Sequence, residues 1–240
     1  IWSVTDKKTV QNFVSGLVSK TLVIADGHHR YKTALKYAEN HNSHDSKHVM
    51  VTLVNSKNPG MQIMPTHRLL KGIEKSIMDI KKEVEQYFHY KEFKGAEKLL
   101  HKMDMLENQK NIIGLFHKET NTGLLLEFKS WDILESKMSD QSKSLRELDT
   151  NILHSFLLKD VFNIDTNRQE DLKHLSYLRG NKPALEMLKK EENYDVACFV
   201  NPPSLDDVFS IAESGETMPQ KSTYFFPKVY SGLITRCFNK

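Results

Sequence analysis

Thr21-Leu22-Val23-Ile24-Ala25-Asp26-Gly27-His28-His29-Arg30-Tyr31 begins as an apolar run and ends in a crowd of polar and cationic groups. Residues 21–25 read as a strand. Tyr31, Ala34, Leu35 and Ala38 then fall at i, i+3, i+4 and i+7, one apolar face of a helix running to about His41. A strand therefore turns at Gly27 and opens a helix. The first amides of a helix have no internal partner, and its dipole adds positive potential there. Arg30 can hold two oxygens of an oxyanion and keeps its charge. Gly27 admits positive φ or close approach of a ligand to the backbone. The pattern reads as a phosphate-binding corner. A solvated helix start with an ordinary turn glycine is the plainer alternative.

Around that corner several side chains suit phosphate chemistry. His28 and His29 are adjacent and cannot share one helix face; one can donate to a phosphate while the other orients Asp26 or packs inward. Asp26 can hold Mg²⁺, take a hydroxyl proton, or simply cap the helix. Thr66, His67 and Arg68 can bring a second cation, and Lys221, Ser222 and Thr223 suit a phosphate or a carboxylate. Lys228 is a secondary candidate, and Tyr31, Tyr224 and Phe225 can wall an adenine or join the core. Zinc lacks a third and fourth ligand at suitable spacing, and His44, Asp45 and His48 fit a solvated loop better than a metal site. No Walker A loop, Gly-x-Ser-x-Gly elbow or Cys-His context is present.

Composition narrows the partners. The 240 residues are 39% hydrophobic, enough for a sizeable core, and 34 basic against 31 acidic residues leave a formal charge of +3. Such a balance does not point to nucleic acid. No apolar run approaches the roughly 18 residues that would span a membrane. Cys198 and Cys237 have neither metal-ligand spacing nor disulfide density and read as reduced and buried, which fits a cytoplasmic protein.

Strand and helix patterns alternate along the chain, so the class is mixed α/β. Helices are expected over residues 7–20, 74–87, 96–105, 149–158, 183–190 and 205–212. Strands are expected over 21–25, 48–54, 61–70, 175–178, 196–200 and 232–238, with a hairpin at 111–117 and 123–128. Residues 136–143 are polar and read as an exposed linker. The expected domains are a phosphate-binding core over 1–135 and an α/β portion over 144–240 that brings the Lys-Ser-Thr motif to the same site.

Three motifs carry a resemblance. Asp26-Gly27-His28-His29-Arg30-Tyr31 followed by Thr33-Ala34-Leu35, Met64-Pro65-Thr66-His67-Arg68, and Met218-Pro219-Gln220-Lys221-Ser222-Thr223-Tyr224-Phe225 resemble the DUF1015 family, in its order and across most of the chain. The Gly-His-His-Arg corner also resembles the phosphate-binding motif of the ParB/sulfiredoxin superfamily, and within it the free L-serine kinases. The resemblance implies a ParB/sulfiredoxin-like nucleotide-binding core. It also implies phosphorylation of a small hydroxyl compound, free L-serine first, with ATP or ADP and Mg²⁺. Gly27, Arg30, Thr66, His67, Arg68, Lys221, Ser222 and Thr223 would bind the nucleotide; Asp26, His28 and His29 would serve catalysis, with Asp26 on the metal. In the resembling kinases a carboxylate before the motif is the general base. Asp6 is the one acidic residue that precedes it here, so the base is expected upstream of this chain. A nucleotide-dependent switch or clamp, and a metal-dependent phosphatase or nuclease using His28 and His29, are the alternatives.

Overall fold

The computed structural model describes residues 2–41, 43–190, 192–230 and 232–237. The chain divides into two compact units, one of residues 1–52 with 231–240 and one of residues 53–230.

In the first unit, α1 (Lys7–Leu17) begins at Asp6, whose carboxylate accepts the Thr9 amide at 2.8 Å. The second helix, α2 (His28–Asn40), begins at Gly27, as the motif spacing predicts. The apolar faces also fall where the spacing places them, but Val10, Phe13, Val14, Tyr31 and Leu35 are exposed. Residues 21–25 and 48–54 form no strand, and neither do the described residues 232–237; Phe238 lies outside the described residues. The correction has a plain cause. A strand exists only through its ladder, and among the described residues no segment pairs with these runs; Leu22, Val49, Val51 and Leu233 are exposed.

The second unit holds β1 (Gln62–Met64), β2 (Thr66–Leu70), α3 (Ile77–Val84), β3 (Phe88–Lys94), α4 (Ala96–Asp104), β4 (Ile112–His117) and β5 (Thr122–Phe128). There follow α5 (Trp131–Lys137), α6 (Lys143–Arg146), α7 (Asp149–Ile152), a π-helix over Leu153–Val161, β6 (Leu175–Arg179), α8 (Asn181–Lys190), β7 (Val196–Val200), α9 (Leu205–Glu213) and β8 (Tyr224–Phe226). A six-stranded antiparallel sheet runs in the order β3-β5-β4-β7-β2-β6, and β1 pairs with β8 separately. The fold is mixed α/β.

Alternation along the strands explains the layers. Ile113, Leu115, Leu124, Leu126, Val196 and Cys198 point to one core with Ile80, Leu134, Phe156 and Leu157. Ile112, Phe116, Leu125, Ala197 and Phe199 point to the other, with Leu99, Leu100, Met103, Ala184 and Leu188. With helices on both faces the central strands β4 and β7 are buried throughout, and their sequences read as unbroken apolar runs. Each valine, leucine, isoleucine or phenylalanine so buried stabilises the fold by about 1.5–3 kcal/mol.

β6 and β7 lie in the same sheet as β2–β5, and residues 138–142 connect α5 to α6 within that unit. Ser142 caps α6, and its amide donates to Glu216 Oε1 at 2.8 Å.

Candidate functional site

The Asp26–Arg30 corner belongs to the first unit. Gly27 has φ 88° and ψ 23°, a left-handed conformation, and its amide donates to Asp26 Oδ1 at 2.7 Å. Asp26 therefore holds the turn, while Gly27 is the cap residue of α2. Gly27 has no side chain to cap the helix, and no acidic residue lies in its first turn. Arg30 folds back over Gly27: a Cβ there would meet Nη2 at 3.0 Å and Nε at 3.2 Å. Only glycine allows both the positive φ and this approach. Asp26, His28, His29 and Arg30 are all exposed. The result is an open helix N-terminus with a guanidinium laid across it, a geometry suited to an oxyanion.

The second unit brings the other two motifs together. β1 pairs with β8, so Met64 sits opposite Tyr224 and Ile63 opposite Phe225. Pro219-Gln220-Lys221-Ser222 is a turn closed by the Ser222 amide donating to Pro219 O at 3.3 Å. Lys221 has φ 59° at the position where such a turn favours glycine. Its side chain is exposed, Thr223 is half-buried, and Ser222 is buried with its hydroxyl donating to Pro219 O at 2.7 Å. Of the Lys-Ser-Thr triplet, Ser222 is therefore a structural group.

Thr66, His67 and Arg68 are buried in β2, at 3%, 0% and 0% exposure. His67 Nδ1 accepts from the Val200 amide at 3.4 Å, which leaves Nε2–H to donate to Asn181 Oδ1 at 2.8 Å. Burial pushes its pKa down to about 4. The ring packs edge-on against Phe199 at 5.2 Å. His67 is a neutral core histidine.

Arg68 is the inner face of the motif junction. Its Nη2 donates to His154 Nε2 at 3.0 Å, Lys221 O at 3.3 Å and Gln220 O at 3.4 Å, while Nη1 donates to Thr66 O. The guanidinium carbon lies 5.6 Å from the Tyr177 ring centre. Its Nε is buried without a hydrogen-bond partner. Burial lowers the Arg68 pKa to about 10 and that of His154 to about 3. His154 is thus neutral and accepts at Nε2, with Nδ1 placed 3.4 Å from Thr166 Oγ1. Nothing in the sequence marked His154: residues 149–158 read as one helix, and only the fold turns this position toward Arg68.

The remaining candidates are employed otherwise. Tyr224 carries Arg179 at 4.5 Å and Lys228 at 4.6 Å from its ring centre, so it holds cations. Arg179, in edge strand β6, was not anticipated. Asp45 pairs with Arg236 at 3.2 Å, and His48 Nδ1 bonds to His44 O at 2.8 Å. Among the described residues no group of three His, Cys, Asp or Glu is arranged to hold a metal. Asp6 is committed to capping α1 through both the amide and hydroxyl of Thr9, which hold its carboxyl below the usual range. Cys198 is buried as expected; Cys237 is exposed. No helix among the described residues is long and apolar enough to cross a membrane.

The model of the family described as "Protein of unknown function (DUF1015)" matches residues 1–151, more than half of the chain. No curated protein matches. Similar solved structures include a conserved hypothetical protein from Pyrococcus furiosus, 13% identical, with TM-score 0.45 over 91% of this chain and 83% of that one. They also include a mutant free serine kinase in complex with AMP, 13% identical, with TM-score 0.48 over 91% and 78%. A mutant free serine kinase in complex with ADP is 12% identical, with TM-score 0.47 over 91% and 78%.

Proposed function

For a chain that belongs to the DUF1015 family, we propose a nucleotide-dependent phosphotransferase that acts on a small hydroxyl compound, with residues 1–52 supplying a ParB/sulfiredoxin-like phosphate corner. The carrying observation is the start of α2. Its cap residue is a glycine with no side chain, its first turn has no acid, and Arg30 lies across Gly27. Phosphoryl transfer asks a protein mainly for positioning and charge neutralisation, and this corner offers both. Lys221, exposed at its own turn in the second unit, is a phosphate or carboxylate ligand in its own right. His28 and His29 are the imidazoles available to carry a proton.

Mg²⁺ fits the corner through Asp26, an exposed carboxylate; the ion is commonly held by one or two carboxylates together with substrate phosphates. When bound it would neutralise phosphate oxygens. Free L-serine is the first acceptor to test, because the Asp-Gly-His-His-Arg motif resembles that of the free L-serine kinases.

The test is phosphorus NMR of the protein with Mg²⁺, ATP or ADP, and a panel of free amino acids. A phosphomonoester that forms only with L-serine, and is lost in Arg30→Ala, supports the kinase. Nucleotide binding without an acceptor-dependent product shifts the reading to a nucleotide switch, and acceptor-independent phosphate release shifts it to a hydrolase. Unchanged nucleotide affinity in Arg30→Ala removes the phosphate corner itself.

A further inference from the structure

The turn that presents Lys221 is strained, yet it is held from within. A non-glycine residue at φ 59° persists only where its surroundings over-determine it. The Ser222 amide and hydroxyl close the turn on Pro219 O, and Arg68 donates to the carbonyls of Gln220 and Lys221, so both point inward. Arg68 itself needs an aligning partner, because a guanidinium on a long stem has many rotamers and no carboxylate faces it among the described residues. His154 Nε2, at 3.0 Å, supplies that partner. It can do so only as a neutral ring with an unprotonated Nε2, and its Nδ1–H then lies 3.4 Å from Thr166 Oγ1. His154 lies in the π-helix Leu153–Val161, a wound-out form that recurs at functional sites and re-aims side chains.

We infer that His154 is a positioning residue for the Lys221 turn, acting through Arg68. It locks the guanidinium, the guanidinium draws the Gln220 and Lys221 carbonyls inward, and the Lys221 ammonium is left standing outward for an anion. This rests on the anion-binding reading of Lys221. No covalent step is involved.

The test compares His154→Leu, which keeps bulk but removes the acceptor, with His154→Gln, whose amide oxygen restores one near Nε2. Two readouts are taken on the full chain: hydrogen exchange of the 220–223 amides, and ADP affinity by calorimetry. Loss of a buried acceptor predicts about tenfold faster exchange at 220–223 and about tenfold weaker ADP binding in the leucine variant. The glutamine variant should recover both. Unchanged exchange in His154→Leu, or a glutamine variant no better than leucine, overturns the proposal. If the leucine variant does not fold, nitrogen-15 shifts of the wild-type imidazole decide. An unprotonated, hydrogen-bonded Nε2 supports the proposal; a protonated Nε2 cannot accept from Arg68 and overturns it. Altered exchange in a protein that binds no ADP in any variant upholds the positioning role while the phosphotransferase reading fails separately.

Discussion

Arg68 and His154 meet at 3.0 Å, guanidinium Nη2 to imidazole Nε2, although 86 positions separate them in the sequence. Around this contact Arg68 has neutral partners: the Thr66, Gln220 and Lys221 carbonyls and the Tyr177 ring. A buried cation without a carboxylate carries a desolvation cost. It is offset here by hydrogen bonds that close one motif of the chain onto another.

Replacing Arg68 should show which effect prevails. Arg68→Met removes the buried charge but strands several acceptors, and the stranded acceptors should win, with a loss of about 1–3 kcal/mol in urea unfolding. Arg68→Lys should not restore stability, because an ammonium is a point charge and cannot reproduce the planar fork. Wild-type stability in the lysine variant would show that charge alone holds the junction.

Lys221 should reveal a trade between stability and binding. Glycine at 221 removes the left-handed strain, so Lys221→Gly is expected to gain about 0.5–1 kcal/mol and a higher Tm. The same change deletes the exposed ammonium and should weaken ADP binding. A variant that is stabler and binds ADP as before would leave Lys221 without a role in the site.

Stability should also rise with pH across the mildly acidic range. His67 and His154 titrate near 6.5 when unfolded but only at about 4 and about 3 when folded, so between these values the unfolded chain binds two more protons through them. Asp149 acts in the opposite direction. Burial raises its pKa from 3.8 to about 7, against the opposing pull of the Asn111 amide, so there the folded chain holds the extra proton. The difference, two minus one, leaves one proton. Stability should therefore climb by about 1.4 kcal/mol per pH unit between roughly pH 4.5 and 5.5, and level off toward pH 7. Asp149→Asn should roughly double that slope, because the opposing proton is gone. Urea midpoints measured across this range check both slopes. A flat profile in the parent chain would mean that the imidazoles are not buried neutral.

Much of this arrangement was legible where local pattern and environment agree. α2 starts at Gly27 as its spacing predicts, and β4 and β7 read as buried strands because helices cover both sheet faces. β3 was missed because it is an edge strand, where Lys91, Glu92 and Lys94 interrupt the apolar signal. Residues 21–25 and 48–54 misled in the other direction: an apolar run reports hydrophobicity, whereas a strand also needs a partner. The depth of Thr66-His67-Arg68 was not legible, since residue type does not disclose burial. Arg68 is fixed by groups 86, 152 and 153 positions away, a relationship no local window contains.

Gly27 and Arg30 should behave as one unit. Alanine at 27 must adopt φ 88°, which costs about 1–2 kcal/mol, and its Cβ would meet Arg30 Nη2 at 3.0 Å. That nitrogen ends a flexible side chain, so Arg30 should swing away and the fold should survive. The loss then falls on the anion: Gly27→Ala should weaken ADP binding at least about fivefold, equivalent to roughly 1 kcal/mol. Arg30→Ala should weaken it further, and the double variant should be no worse than Arg30→Ala alone, because the Cβ acts by displacing a group that is already gone. Calorimetric titration of all four proteins with ADP closes this cycle. Additive losses would mean that Gly27 serves the anion through its own amide and close backbone approach, independently of the guanidinium beside it.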